Sequence, residues 1–91
     1  MQVKLYASLR QAAGTKMMDV EVHDGTTIRD VLVEVTRRYP VLVKFVWKEQ
    51  GELAEFVHVF VNGENIRHLA SLDTPLKAED HVYIFPPLVG G

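Results

Sequence analysis

Apolar and polar positions alternate from the first residues of the chain. Over Gln2–Ser8, Val3, Leu5 and Ala7 fall on one side and Gln2, Lys4, Tyr6 and Ser8 on the other. That period of two predicts a strand with one buried face. A polar turn over Arg10–Lys16, containing Gly14, leads to a second alternating run, Met17–His23, with Met18, Val20 and Val22 in phase. The pair reads as a hairpin.

After Asp24-Gly25 the period changes. Ile28, Val31, Leu32, Val35 and Tyr39 mark one face of an amphipathic helix. Thr27 with Asp30 resembles a capping box, with Asp in place of the usual Glu. Arg37 and Arg38 complement the negative end of the helix dipole, and Pro40 ends the helix. In Val41–Gly51, Leu42, Phe45 and Val46 suggest a second short helix, with Trp47 half exposed. Alternation returns over Glu55–Val61, with Val57, Val59 and Val61 against Phe56, His58 and Phe60. Asn62-Gly63 is a tight-turn signal, after which Glu64–His68 returns as a short strand. Leu69–Asp80 reads as loop and turn. His81–Phe85 is the last strand, with Val82 and Ile84 inward, and Pro86-Pro87 ends its ladder because proline has no N–H to donate.

The order predicts an α+β domain spanning residues 1–91, a sheet of four to five strands with one main helix on one face. At 91 residues, 47% of them hydrophobic, the chain supports one modest core. Ten Lys and Arg against 12 Asp and Glu leave a net charge of −2, which argues against binding nucleic acid or an anionic membrane through bulk charge. No apolar run has the length of a membrane span, and no signal-peptide core stands at the start, so a cytoplasmic protein is expected. With no cysteine, disulfides, thiolate metal sites and a cysteine nucleophile are excluded.

The chemistry concentrates in Pro86-Pro87-Leu88-Val89-Gly90-Gly91. Two prolines favour an extended exit from the sheet. Leu88 and Val89 are apolar anchors for a partner, and Gly90 and Gly91 offer bare backbone suited to a narrow channel. The reactive group there is the Gly91 α-carboxylate, ionised at neutral pH. A carboxylate is a poor acyl donor until activated, most simply as an acyl-adenylate. The chain has no glycine-rich phosphate loop, so another enzyme must bind the ATP. It reads as substrate and carrier, with no bound cofactor and no catalysis of its own.

The strand–strand–helix–strands order ending in Phe85-Pro86-Pro87-Leu88-Val89-Gly90-Gly91 resembles the ubiquitin-like sulfur carriers, most closely the small subunit of molybdopterin synthase (MoaD). The opening Val3–Arg10, followed by Gly14, is similar to the start of that family, and the likeness spans essentially the whole chain. It implies a β-grasp fold. It also implies adenylation of Gly91 by a ubiquitin-activating-enzyme-like adenylyltransferase, then conversion to a thiocarboxylate. The large synthase subunit would take that sulfur for molybdopterin, with Gly90 as the threading neighbour. The stretch Val59–Pro75 and the insert before it are closer to a sub-branch resembling the cysteine-biosynthetic carrier and the archaeal small modifiers. The tail chemistry is common to the group and does not choose the acceptor. Beside the synthase subunit stand a modifier conjugated to lysines, carriers for cysteine, thiamine or thiolated tRNA, and an interaction domain whose terminus is never activated.

The other candidates are weaker. His23, His58, His68 and His81 show no metal-ligand spacing. Asp73, Glu79 and Asp80 read as a solvated cluster, and Arg37-Arg38 as a helix end first and a partner contact second. Strand parity is more informative. If the helix covers Val3, Leu5, Val59, Val61, Val82 and Ile84, then Tyr6, His58, Phe60, Tyr83 and Phe85 share the opposite face. Aromatics grouped on an uncovered face mark a partner surface, unless the Val41–Leu53 insert folds over them.

Overall fold

The alternating segment nearest the end of the chain becomes the middle of the sheet. In the computed structural model, which describes residues 1–87 apart from the Gln50 side chain, five strands form. They are β1 Gln2–Leu5, β2 Met17–Asp19, β3 His58–Val61, β4 Glu64–Asn65 and β5 His81–Phe85. The order across the sheet is β2-β1-β5-β3-β4. Only β1 and β5 run parallel; β1–β2, β3–β5 and β3–β4 are antiparallel. One helix, α2 Ile28–Arg38, supplies the main cover of one face, which makes the fold a β-grasp.

The capping box of α2 is complete. The Asp30 N–H donates to Thr27 Oγ1, and the Thr27 N–H donates to the Asp30 carboxylate at 3.0 Å. Asp shortens the reach of the usual Glu yet still satisfies both orphan donors. Ile28, Val31, Leu32 and Val35 are fully buried against Val3, Leu5, Val59, Val82 and Ile84. Pro40 does end the helix, and the chain enters a 3-10 turn at Pro40–Leu42 and then the short helix α3 Val43–Val46. This insert packs on the helix side of the sheet. Leu42 and Val46 join the core, and the half-buried Trp47 indole N–H donates to Thr36 Oγ1 of α2 at 3.1 Å.

The first segment differs from the alternation reading. The strand stops at Leu5, and Ala7–Ala13 forms a helix, α1, where extension and a polar turn were expected. Ala, Leu, Arg and Gln are strong helix formers, and Gly14 in the left-handed region closes the helix with its N–H on the Arg10 carbonyl. Leu9 is the one buried residue of α1, and Ala12 and Ala13, which pack against the core at i+3 and i+4, are too small to make the helical period stand out. The second strand is also shorter than Met17–His23, ending at Asp19, although Val20 is still buried and exchanges bonds with Met1. The ladder of β3 begins at His58, so Phe56 lies in the preceding turn, 66% exposed, not in phase with Phe60. Beyond Asn65, the expected return strand tightens into a 3-10 turn at Ile66–His68.

Side chains secure the joints between strands. Asn62, at φ 52°, and Gly63, at φ 88°, make the turn between β3 and β4. The Asn62 side chain also accepts from the His81 N–H and donates to Asp80, both at 2.9 Å, and Asp80 accepts from the Lys77 N–H. This clamp sets the entry to β5. Arg67 donates to the carbonyls of Ala54, Glu55 and Val57, ahead of β3 where the two-residue β4 does not reach. At the opposite edge, Arg38 donates to the Asp19 carbonyl at 2.6 Å, and the Thr15 hydroxyl donates to the Met17 carbonyl at 3.0 Å.

Asn62→Ala should destabilise the fold by about 1–3 kcal/mol in urea denaturation, since it removes two bonds and puts an unfavoured residue at positive φ. Asn62→Gly should recover only the conformational part. A second outcome concerns acid. Hydrogen bonds from Arg37, then from Arg38, hold the Glu34 carboxyl down to about 2 from the usual 4.5. A depressed folded-state value contributes stability above pH 4.5 that is lost as pH falls through about 2. Glu34→Gln should therefore flatten the pH dependence of stability across that window, measured by denaturation at stepped pH.

Candidate functional site

Strand pairing assembles the face that α2 leaves uncovered. Register places His58 opposite Phe85 and Phe60 opposite Tyr83. Leu5 pairs with Ile84, and the Tyr6 N–H continues the contact by donating to the Ile84 carbonyl at 3.2 Å. Tyr6 is therefore delivered beside Phe85. Their rings stack at 4.3 Å with 9° between planes, and Phe60 meets Phe85 edge-on at 5.5 Å. Both geometries are favoured by the ring quadrupole and hold the cluster in one arrangement.

Tyr6, His58, Phe60, Tyr83 and Phe85 are each half-buried and line an open depression of about 660 Å³. The insert contributes nothing to its lining. Two rim residues, Gly63 and Asn65, were not singled out from the sequence. Their signal was the Asn62-Gly63 turn, which lays β4 beside β3 and pairs Asn65 with Phe60. Lys4 stands on the same face, with its ammonium 5.7 Å from the Tyr83 ring centre.

The exit of the chain is fixed at the same end. Pro86, directly after β5, is buried and Pro87 is half-buried. Leu88, Val89, Gly90 and Gly91 lie outside the described residues. The remaining histidines disperse: His23 sits near Glu21 at 3.7 Å, while His68 and His81 are exposed at a turn and a strand start. Among the described residues no three metal-ligating side chains come together, and no helix is long and apolar enough to cross a membrane.

The aromatic face thus lies beside the strand end from which the diglycine tail continues. Small archaeal modifier protein 1 of Haloferax volcanii is 34% identical over 91 residues, all of both chains. Its crystal structure superposes with a TM-score of 0.88 at 33% identity, covering 99% of this chain and 97% of that one. A chain of the Amycolatopsis orientalis BexX/CysO complex follows at a TM-score of 0.83 and 27% identity, covering 99% and 98%. A Pyrococcus furiosus chain provisionally assigned as molybdopterin converting factor subunit 1 gives 0.76 at 32% identity, covering 96% and 95%. Residues 3–91 match the ThiS family. The chain belongs to that family of ubiquitin-like sulfur carriers and is of the small archaeal modifier type.

Proposed function

We propose that this protein is a modifier whose Gly91 carboxylate is activated by a separate adenylating enzyme and transferred to lysine side chains of other proteins. The observation that carries this is the end-to-end likeness to a small archaeal modifier protein, tail included. The molybdopterin synthase subunit, which the resemblance of the element order, opening and tail favoured, becomes the second reading, supported by the Pyrococcus furiosus likeness.

The chemistry is common to both up to its last step. The carboxylate attacks the α-phosphorus of ATP held by the partner, pyrophosphate leaves, and the acyl-adenylate forms. A lysine ε-amine attacks that carbonyl, AMP leaves with the bonding pair, and the amine loses a proton to give an isopeptide. In the second reading hydrosulfide attacks instead, loses its proton, and AMP departs from a thiocarboxylate. This chain supplies the acyl group and the surface that positions it. The aromatic face docks the enzyme, and the Pro86-Pro87 exit fixes the reach of the carboxyl.

Trypsin cuts after Lys77, so conjugation should leave Ala78–Gly91 branched on target lysines. Mass spectrometry of proteins from the source cell should find that branch. If the terminus occurs only as thiocarboxylate, the modifier reading fails and the carrier stands; a terminus always found as free carboxylate removes both. Deleting Gly91 should abolish adenylate formation, measured by ATP–pyrophosphate exchange, with the melting temperature unchanged because the core is complete within the described residues.

Phe60→Ala or Phe85→Ala should weaken binding to the adenylating enzyme by more than about 1 kcal/mol in calorimetry. Ile84→Ala, fully buried under α2, should instead lower stability by about 2–4 kcal/mol.

A further inference from the structure

Cations and carboxylates are segregated in this molecule. Residues 1–18 carry Lys4, Arg10 and Lys16 and no Asp or Glu, in a chain whose net charge is −2. The fold gathers these three. Lys4 comes from β1, Arg10 from the last turn of α1, and Lys16 from the segment entering β2, where its carbonyl accepts from the Leu5 N–H. Together they line a hollow of about 370 Å³. Tyr6 belongs to the wall of that hollow and to the wall of the aromatic depression, so the two are contiguous.

Most cations elsewhere are engaged; among the described residues the Lys77 ammonium has no ion pair, and Lys44 lies over the Phe45 ring. Arg37, Arg38 and Lys48 pair with carboxylates, and Arg29 and Arg67 donate to backbone carbonyls. Among the described residues, no carboxylate lies within ion-pair distance of Lys4, Arg10 or Lys16. Arg10 complements the end of α1, but Lys4 and Lys16 occupy no helix end. The result is a positive shelf joined to an apolar depression on a protein that is otherwise acidic.

From this juxtaposition we infer that the aromatic face and the Lys4–Arg10–Lys16 shelf form one docking site for an acidic protein segment. That segment inserts an apolar side chain between Tyr6, Phe60 and Phe85 and lays flanking carboxylates on the shelf. A polyphosphate backbone would use the shelf and leave the depression empty; a neutral segment would do the reverse. Only a segment carrying both groups fills both halves. The shelf supplies register and steering, and the depression supplies most of the binding energy. The inference rests on the reading of the aromatic face as a docking surface and adds the chemistry of what docks there.

The test uses the full chain, labelled with nitrogen-15, and three synthetic probes followed by NMR titration. One is a peptide with a central phenylalanine flanked by glutamates, the second replaces the glutamates with lysines, and the third is a short oligothymidylate. The acidic peptide should shift the amides of Tyr6, Phe60, Phe85, Arg10 and Lys16, and its affinity should fall as sodium chloride rises. Arg10→Glu with Lys16→Glu should weaken it by at least about tenfold, as loss of two favourable charge contacts requires. The neutral pair Arg10→Gln with Lys16→Gln should weaken it less, and it replaces the reversed variant if that variant does not fold. Phe60→Ala should abolish binding whatever the flanking charge. If both peptides bind equally, or the charge variants leave the acidic peptide unaffected, the shelf has no role although the aromatic docking surface stands. If neither peptide binds, the docking surface falls with it. An oligothymidylate that competes at the same amides with equal affinity overturns the choice of a protein partner.

Discussion

The parallel pairing of β1 with β5 is the contact on which the rest of the molecule depends. Gln2–Leu5 aligns with His81–Ile84, segments far apart in the sequence, and every other element is closed inside that loop. Because β5 also pairs with β3, it has no free edge and both of its faces are in use. Val82 and Ile84 complete the core under α2, while Tyr83 and Phe85 build the aromatic face. A one-residue slip of β5 would exchange these sets, exposing the core pair and driving two large rings against the helix. The same pairing brings Tyr6 onto Phe85, so core, aromatic face and chain exit are set by one register.

Much of this was legible in the sequence because the central elements bury a full face. His81–Phe85 alternates strictly, and α2 combines cap, period and proline stop, so each stands out without tertiary information. Elements with little burial were hidden. In α1 Leu9 is the one buried residue and the other core-facing positions, Ala12 and Ala13, are small, while Ala7 and Ser8 continue the alternation of β1 by accident although Ala7 already turns to φ 51°. Phe56 kept the parity of Phe60 in the sequence, but the ladder had not yet begun. The tail motif was legible as a candidate reactive end, but it is common to several kinds of carrier and names no acceptor. Lys4, Arg10 and Lys16 looked unrelated because α1, which brings Arg10 to the strands, was not visible in the pattern.

In the proposed function the protein contributes an acyl group and an address, and a separate enzyme makes the bond. Such a role demands a rigid body around a reactive end, since a partner must find the carboxyl at a fixed distance from the surface it grips. The stacked and edge-on rings of Tyr6, Phe60 and Phe85 meet that demand at the strand end from which the tail departs.

The arginines that close the sheet edges carry a different consequence. Arg38 and Thr15 occupy carbonyls along β2, and Arg67 occupies three carbonyls ahead of β3, so the outermost backbone offers a neighbouring chain few acceptors. Exposed strand edges are the usual route by which crowded sheets fuse into aggregates. A small domain tethered in several copies to one target would sit at very high local concentration, where even weak edge pairing becomes dominant. In the proposed modifier role, blunted edges would let neighbouring copies stay separate, each with its aromatic face open.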